Sequence, residues 1–275
     1  MERQELKESI NAFCTENGLS KAAFGKKCGV SSATLSFIEN DLLEKISDEM
    51  VLKISSFINS YKVDGVYQSY DLLDTCKACD KARKYHLMIG IVADTGMGKT
   101  TAIKFYSQQK NVFYVSFCKS MKATQFFKEL LREMAVPFAG SLNEMIDKAA
   151  EELNKKENPL LIIDEAGKIT HAMMLYLQEL RDKTSSNCGI VLAGMPYFKA
   201  NLQKYADKQK EGYAEFLRRV NIWHTYVGLK AKEKEEICLR NGITDMEAIV
   251  ELKRQSRFGD LMNKIYLYKI QNDML

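Results

Sequence analysis

The chain has no uninterrupted apolar run long enough to cross a bilayer, which takes about 20 residues, so an integral helical membrane protein is excluded. Its first residues, Met1-Glu2-Arg3-Gln4-Glu5, are charged and lack the apolar core of a secretory signal. Cysteine is sparse: the 7 thiols are odd in number and scattered, at Cys14, Cys28, Cys76, Cys79, Cys118, Cys188 and Cys238. That excludes a disulfide-stapled secreted scaffold and fits reduced thiols in a cytoplasm. The one close pair, Cys76-Lys77-Ala78-Cys79 with His86 nearby, has no second pair at structural-zinc spacing, so no metal is expected there. Repeats and low-complexity tracts are absent. Excess charge is small, +4 over 275 residues, and unevenly spread. Residues 1–60 carry 7 Lys/Arg against 9 Asp/Glu and the remainder 33 against 27, so charge-driven affinity for nucleic acid belongs mainly outside the N-terminal segment. With 46% apolar and 28% charged residues, the expectation is a soluble, cytoplasmic protein of one large or two modest domains.

What is present is a turn built for phosphate. Ala93-Asp94-Thr95-Gly96-Met97-Gly98-Lys99-Thr100 follows an apolar strand, Leu87–Val92, and precedes an amphipathic stretch that continues through Thr101. A polyphosphate needs inward-pointing backbone N–H groups, the positive end of a helix, a lysine for the β- and γ-phosphates and a hydroxyl for Mg²⁺. Gly96 and Gly98 permit the turn, Lys99 supplies the charge and Thr100 the hydroxyl. The usual pattern begins with glycine, and Ala93 stands there: small, but averse to positive φ. A second run, Leu160-Leu161-Ile162-Ile163, ends in Asp164-Glu165 and reads as a strand buried on both faces of a parallel sheet. Ligands bind at the carboxyl ends of such strands. Asp164 is expected to hold Mg²⁺ through water and Glu165 to orient or deprotonate the attacking water. The plain alternative is an acidic pair capping the next helix. Together the two motifs predict ATP with Mg²⁺.

Residues 5–60 read as a compact helical unit. Leu6, Ile10 and Phe13 share a helical face ended by Asn17-Gly18, Ser20 caps Lys21–Lys27, and Ser31 or Ser32 caps the helix bearing Leu35 and Ile38. Ser47 and Asp48 open a further helix through Met50, Leu52, Ile54 and Phe57. Helix, glycine-containing turn, helix is the helix-turn-helix plan. Leu19-Ser20, Phe24, Gly29-Val30-Ser31, Leu35-Ser36 and Glu39 occupy the places of a run familiar in the λ-repressor/Cro-like family, which this stretch resembles. The resemblance implies DNA contact, with Ser31, Ser32, Thr34, Ser36 and Phe37 on or near the groove-facing side and Lys21, Lys26 and Lys27 near phosphates. The same core would serve a small protein-interaction domain, which the acidic balance favours.

A linker follows in 61–86, ending in a helix over 71–86. Strands at Leu87–Val92, Asn111–Phe117, Leu160–Asp164, Cys188–Ala193 and Asn221–Val227 then alternate with helices at Lys99–Gln109, Lys122–Met134, Ser141–Asn154 and Lys168–Lys183. Such βα alternation means a mostly parallel sheet covered on both faces. Helices at Lys232–Arg240, Thr244–Gln255 and Asp260–Asn272 close the chain. The domains expected are thus 1–60, a helix-turn-helix; 61–86, linker and leading helix; 87–228, an α/β nucleotide-binding core; and 229–275, a helical lid.

Over residues 71–275 the two nucleotide motifs, the following strand and the lid resemble the AAA+ P-loop ATPases. In that family an arginine before the last strand reaches a neighbouring subunit's site. In Glu215-Phe216-Leu217-Arg218-Arg219-Val220, Arg219 fits that place best and Arg218 second; a pair of surface arginines is the bland reading. The usual polar residue after the fourth strand is missing from Leu192-Ala193-Gly194-Met195-Pro196. In the lid Met262 stands where an arginine is usual, with Lys264 or Arg257 as substitutes. These departures suggest slow or partner-stimulated hydrolysis.

The Leu-Ala-Gly-Met-Pro run is more like the transposition and secretion ATPases. With the N-terminal domain and the length, the chain is similar to the target-selecting ATPases of transposons, the family of the bacteriophage Mu B protein. That family implies an ATP-driven homo-oligomer, a helical filament on duplex DNA of little sequence preference, which recruits a transposase. The loop Cys118–Thr124 is then expected on the DNA backbone, Lys119 and Lys122 giving charge and Thr124 a hydroxyl and helix cap, although a solvated basic turn explains it as well. Lys253, Arg254 and Arg257 form a second basic cluster for DNA or transposase. A helicase-loader-like ATPase and an ATP-switched DNA-binding regulator are the competing readings; a pure switch does not need Glu165.

Overall fold

The computed structural model describes residues 6–16, 19–47, 50–51, 54, 58 and 66–274, apart from the side chains at 16, 26 and 27. It divides into two compact units, Met1–Tyr67 and Gln68–Leu275.

In the first unit, α1 (Leu6–Glu16), α2 (Lys21–Cys28) and α3 (Ser32–Glu39) enclose Leu6, Ile10, Phe13, Phe24, Leu35 and Ile38. Ser20 caps α2 by accepting the Ala23 N–H at 3.2 Å, and Gly29 ends it in the left-handed region at φ 67°. Of the two serines offered as the cap of α3, Ser31 takes the position, accepting the Thr34 N–H at 3.1 Å. Phe24 is wholly buried while Ala22 is exposed. Beyond a 3-10 turn (Leu43–Lys45), Val51, Ile54 and Ile58 join the core. Asn17, Gly18, Asp48, Leu52, Phe57 and the segment 59–65 lie outside the described residues.

The second unit opens with α4 (Tyr70–Lys84), capped by Ser69, and carries the strands β1 (Met88–Val92), β2 (Val112–Ser116), β3 (Leu160–Asp164), β4 (Gly189–Gly194) and β5 (Val220–Thr225). All pairings are parallel, in the order β2-β3-β4-β1-β5. The period-two alternation of each strand feeds two cores. Ile89, Ile91, Leu160, Ile162 and Val191 pack on α4 and on α5 (Lys99–Ser107). Phe113, Val115, Leu161, Ile163, Ile190 and Leu192 pack on the opposite layer, α6 (Ala123–Glu133), α7 (Leu142–Asn154) and α8 (His171–Thr184). The same layer takes α9 (Pro196–Asp207) and α10 (Tyr213–Arg219). After β5 come α11 (Ala231–Arg240), α12 (Met246–Leu252) and α13 (Phe258–Gln271). No described helix is long and apolar enough to cross a membrane.

Three features differ from the pattern reading. Helices α9 and α10 occupy 196–219, where none was expected: Gly212 at φ 78° breaks the run, and each helix buries only two residues, Phe198 and Leu202 in the first and Tyr213 and Phe216 in the second. The helix expected to start at Lys168 begins instead at His171, capped by Thr170, because a 3-10 turn (Ala166–Lys168) intervenes. Thr124 is not a cap. The helix starts one residue before it, with the Lys122 N–H donating to Gln125 Oε1 at 2.8 Å.

Helix α4 lies very close to β4. A Cβ on Gly189 would stand 2.3 Å from the Ala82 carbonyl oxygen, backbone that cannot swing aside. Gly189→Ala is expected to cost about 1–3 kcal/mol by overpacking. Urea unfolding measures it, and wild-type stability in the variant would contradict so close an approach.

Candidate functional site

The loop between β1 and α5 closes with Gly96 at φ 74° and Gly98 at φ 85°, both reserved in practice for glycine. Gly98 is the N-cap of α5 and provides no side chain of its own to the first-turn N–H groups, which stay open to an anion. Ala93 is 2% exposed, donates its N–H to the Gly194 carbonyl at 3.2 Å and does not adopt positive φ. The departure from glycine at this place therefore carries no backbone strain. Lys99 is 8% exposed, and among the described residues its ammonium meets no carboxylate or carbonyl. The ammonium is thus left available to an anion in the loop.

Asp164 joins the two motifs. It is 1% exposed at the end of β3, and its Oδ2 accepts from Thr100 Oγ1 at 2.9 Å and from the Tyr114 hydroxyl at 3.1 Å. Its Oδ1 accepts the Glu165 N–H at 2.8 Å. A hydroxyl and a carboxylate, both oxygen donors, suit Mg²⁺. Tyr114 was not anticipated. In β2 it alternates with Phe113 and Val115, so it faces away from their core and towards α5, whose Lys104 lies 5.6 Å from its ring centroid. Burial, then the neighbouring Asp164 carboxylate, pushes the Tyr114 phenol well above its ordinary range, so it serves as a donor. Glu165 stands in the left-handed region at φ 57°, and its carboxylate pairs with Lys168 at 3.1 Å. Among the described residues it meets no group of the phosphate loop.

The lid touches the loop directly. Gly259, near the start of α13, donates its N–H to the Gly96 carbonyl at 2.7 Å, and a Cβ there would come within 3.3 Å of Gly96. Met262 follows one turn later and is half-buried, Arg257 is the half-buried cap of α13, and Lys264 is exposed. Of the two substitutes for Met262, Arg257 is thus the one nearer the loop along the chain. The tip of β4 holds Gly194, where a side chain would begin 3.2 Å from the Gly167 nitrogen and 3.3 Å from Phe198. That close packing explains the missing polar residue.

The two candidate arginines differ. Arg219 grips Asp182 with two bonds, 3.0 and 2.7 Å, and also donates to the Glu215 carbonyl at 3.1 Å. Arg218 is exposed and unpaired among the described residues. Lys119 and Lys122 are exposed, and Thr124 is half-buried. In the first unit the Ser31 and Thr34 hydroxyls bond each other at 2.9 Å on the end of α3, which leaves Ser32 as the exposed hydroxyl of that trio without such a bond. Lys21 pairs with Glu39 at 2.9 Å. Burial pushes the Cys76 thiol up to about 12 and Cys79 well above the usual range.

Residues 82–202 match the family model of an AAA domain and residues 10–65 that of a helix-turn-helix. Among solved structures, the chain is similar to the Aeropyrum pernix ORC2 protein in its ADP form, at 14% identity over 72% of this chain and 62% of that one, with a TM-score of 0.55. It is also similar to the Aeropyrum pernix ORC1 protein in complex with DNA, at 10% identity over 75% and 60%, with a TM-score of 0.54. The replication initiator DnaA bound to AMPPCP and single-stranded DNA is similar at 16% identity over 74% and 62%, with a TM-score of 0.50. The chain thus spans 60–62% of the length of these structures, and at such identities the likeness is one of fold. No curated protein matches it. The fold is that of an AAA+ P-loop protein preceded by a helix-turn-helix region.

Because Ala93 is unstrained, restoring the customary glycine brings no relief. Ala93→Gly is expected to lower stability by roughly 0.4–1 kcal/mol, through the freedom gained by the unfolded chain. Denaturant unfolding checks it; a stabilised variant would reveal strain at this residue.

Proposed function

We propose that the chain is a DNA-binding AAA+ ATPase that binds ATP and Mg²⁺ in the β1–α5 loop and assembles with its own copies on duplex DNA. The observation that carries this reading is the bond from Thr100 to Asp164, which brings hydroxyl, carboxylate and the unpartnered Lys99 ammonium to one cradle. Lys99 holds the β- and γ-phosphates, Thr100 and Asp164 hold the metal, and Glu165 activates the water. Residues 93–101 bind the nucleotide. The finer role is selection of target DNA and activation of a transposase by a helical filament of little sequence preference. Lys119, Lys122 and Thr124, and Ser31, Ser32 and Thr34 of the N-terminal unit, are its DNA contacts. A second reading, an initiator or helicase loader, is favoured by the likeness in fold to the ORC and DnaA proteins.

Arg218 is our choice for the residue that completes a neighbour's site, because Arg219 is held by Asp182. Glu165→Gln is expected to keep ATP binding and slow hydrolysis about 100-fold or more. Arg218→Ala is expected to lose the hydrolysis that assembly stimulates, with Arg219→Ala milder. Mixing the inactive Glu165→Gln and Arg218→Ala chains regains part of the turnover, since some interfaces then combine an intact glutamate with an intact arginine. A mixture as inactive as its components would remove the shared site.

Negative-stain microscopy with ATP and nonspecific duplex DNA is expected to show long helical assemblies. Discrete complexes at one sequence would sink the filament and leave the initiator or regulator reading. Lys119→Ala with Lys122→Ala should weaken DNA binding and flatten its salt dependence by about 0.9 per lost contact, with nucleotide binding retained.

A further inference from the structure

Strand β2 places one polar ring where its neighbours place aliphatic side chains. Phe113 and Val115 enter the core shared with α6, α7 and α8, so Tyr114 takes the opposite face, which Val112, Ile162 and Val191 otherwise fill. In the register of β2 on β3, Tyr114 stands opposite Ile162 and Ser116 opposite Asp164. Ile162 and Asp164 share a face, two residues apart, so a side chain as long as tyrosine reaches from beside the first to the second. The Tyr114 hydroxyl does so, donating to Asp164 Oδ2 at 3.1 Å. A phenylalanine would fill the same space without that bond.

Helix α5 holds both ends of this arrangement. Thr100 and Lys104 are four residues apart and lie on one helical face. Thr100 Oγ1 donates to Asp164 Oδ2 at 2.9 Å, while Lys104 Nζ lies 5.6 Å from the centroid of the Tyr114 ring. An ionised carboxylate has about four acceptor sites, two on each oxygen. Those of Asp164 Oδ2 are filled by Thr100 and Tyr114, and one on Oδ1 is filled by the Glu165 N–H at 2.8 Å. Among the described residues no further donor meets Oδ1. Asp164 is almost wholly buried, so these three donors fix the plane of its carboxylate.

We propose that Tyr114 is a positioning residue for the metal: by filling Asp164 Oδ2 it leaves Oδ1 alone for hydrated Mg²⁺. This rests on the ATP and Mg²⁺ reading above and adds to it a residue outside both nucleotide motifs. Mg²⁺ gives up its waters reluctantly. A carboxylate held by three donors, with one acceptor site open, suits an ion met through water better than one met directly. Without the phenol, Oδ2 regains a free site and the carboxylate is steered by two donors instead of three. Partners that orient the groups around a metal without touching it are commonly worth about 10–100-fold in metal affinity. Tyr114 touches neither the phosphate loop nor its lysine, and its effect passes through Asp164.

The test measures binding of a fluorescent, non-hydrolysable ATP analogue by the full chain, with Mg²⁺ and with EDTA. It compares wild type, Tyr114→Phe, Asp164→Asn and the double variant. Tyr114→Phe is expected to lose about tenfold of the tightening that Mg²⁺ brings. Its affinity in EDTA should stay that of the wild type, which also reports an intact loop. In the Asp164→Asn background the same substitution should change the Mg²⁺ response by less than about twofold, because the tyrosine then has no carboxylate to hold. If Tyr114→Phe keeps the wild-type response to Mg²⁺, weakens binding equally in EDTA, or costs as much beside Asp164→Asn as alone, this inference fails alone. A wild-type chain that binds no analogue in either condition, or binds it without regard to Mg²⁺, overturns the ATP and Mg²⁺ reading as well.

Discussion

The hydrogen bond from Thr100 to Asp164 is the constraint on which the site depends, because it joins two loops whose strands are not neighbours. β4 lies between β1 and β3, and the two loops can meet only if the end of β4 is thin. Gly194 makes it so. Its carbonyl takes the Ala93 N–H, and its missing side chain leaves room for the turn at Gly167. Strand order thus sets the chemistry. The carboxylate that suits the metal arrives from one side of β4 and the hydroxyl from the other, while the apolar residues of β1, β3 and β4 bury the strands that carry them.

The same crowding explains what the site lacks. A polar side chain at 194 would start in contact with Gly167 and Phe198, so the tip of β4 has little space to point an amide or hydroxyl at a phosphate. The lid meets the loop through backbone instead, Gly259 on Gly96, and a bulkier residue at 259 would press on the phosphate turn. Arginine is absent one turn later at Met262, and Arg219 is occupied by Asp182. The cradle is therefore held largely by main chain.

Where a single chemical period governs a segment, its structure was readable from residues alone. The phosphate loop, the acidic end of β3, the five strands and the serine caps of α2 and α3 all follow from spacing that few alternatives share. Interactions between distant segments were not readable. Tyr114 on Asp164 requires knowing that β2 pairs with β3, and Arg219 on Asp182 that α8 lies beside α10. Helices α9 and α10 were missed because their buried faces are narrow: Phe198 and Leu202 in one, Tyr213 and Phe216 in the other. The cap was expected at Thr124, two residues late, because the true N-cap is Lys122, which has no side-chain acceptor, and Gln125 closes the turn from the third helical position.

Helix α4 also reaches the segment that follows β5. The buried Asp71 carboxylate accepts the N–H groups of Val227 at 3.0 Å and Gly228 at 2.8 Å, and burial raises its pKa in spite of both bonds. The Tyr70 N–H donates to Glu233 at 2.5 Å, Lys230 lies 3.8 Å from the centroid of the Tyr70 ring, and Thr75 bonds the Tyr226 hydroxyl at 2.6 Å. One short helix therefore holds the segment joining β5 to the C-terminal helices. Gly228, at φ 84°, is where that segment turns, and a Cβ there would stand 3.5 Å from Met97 of the phosphate loop. The segment between β5 and the C-terminal helices is thereby fixed by the helix that leads into the core, and not left to the packing of those helices alone.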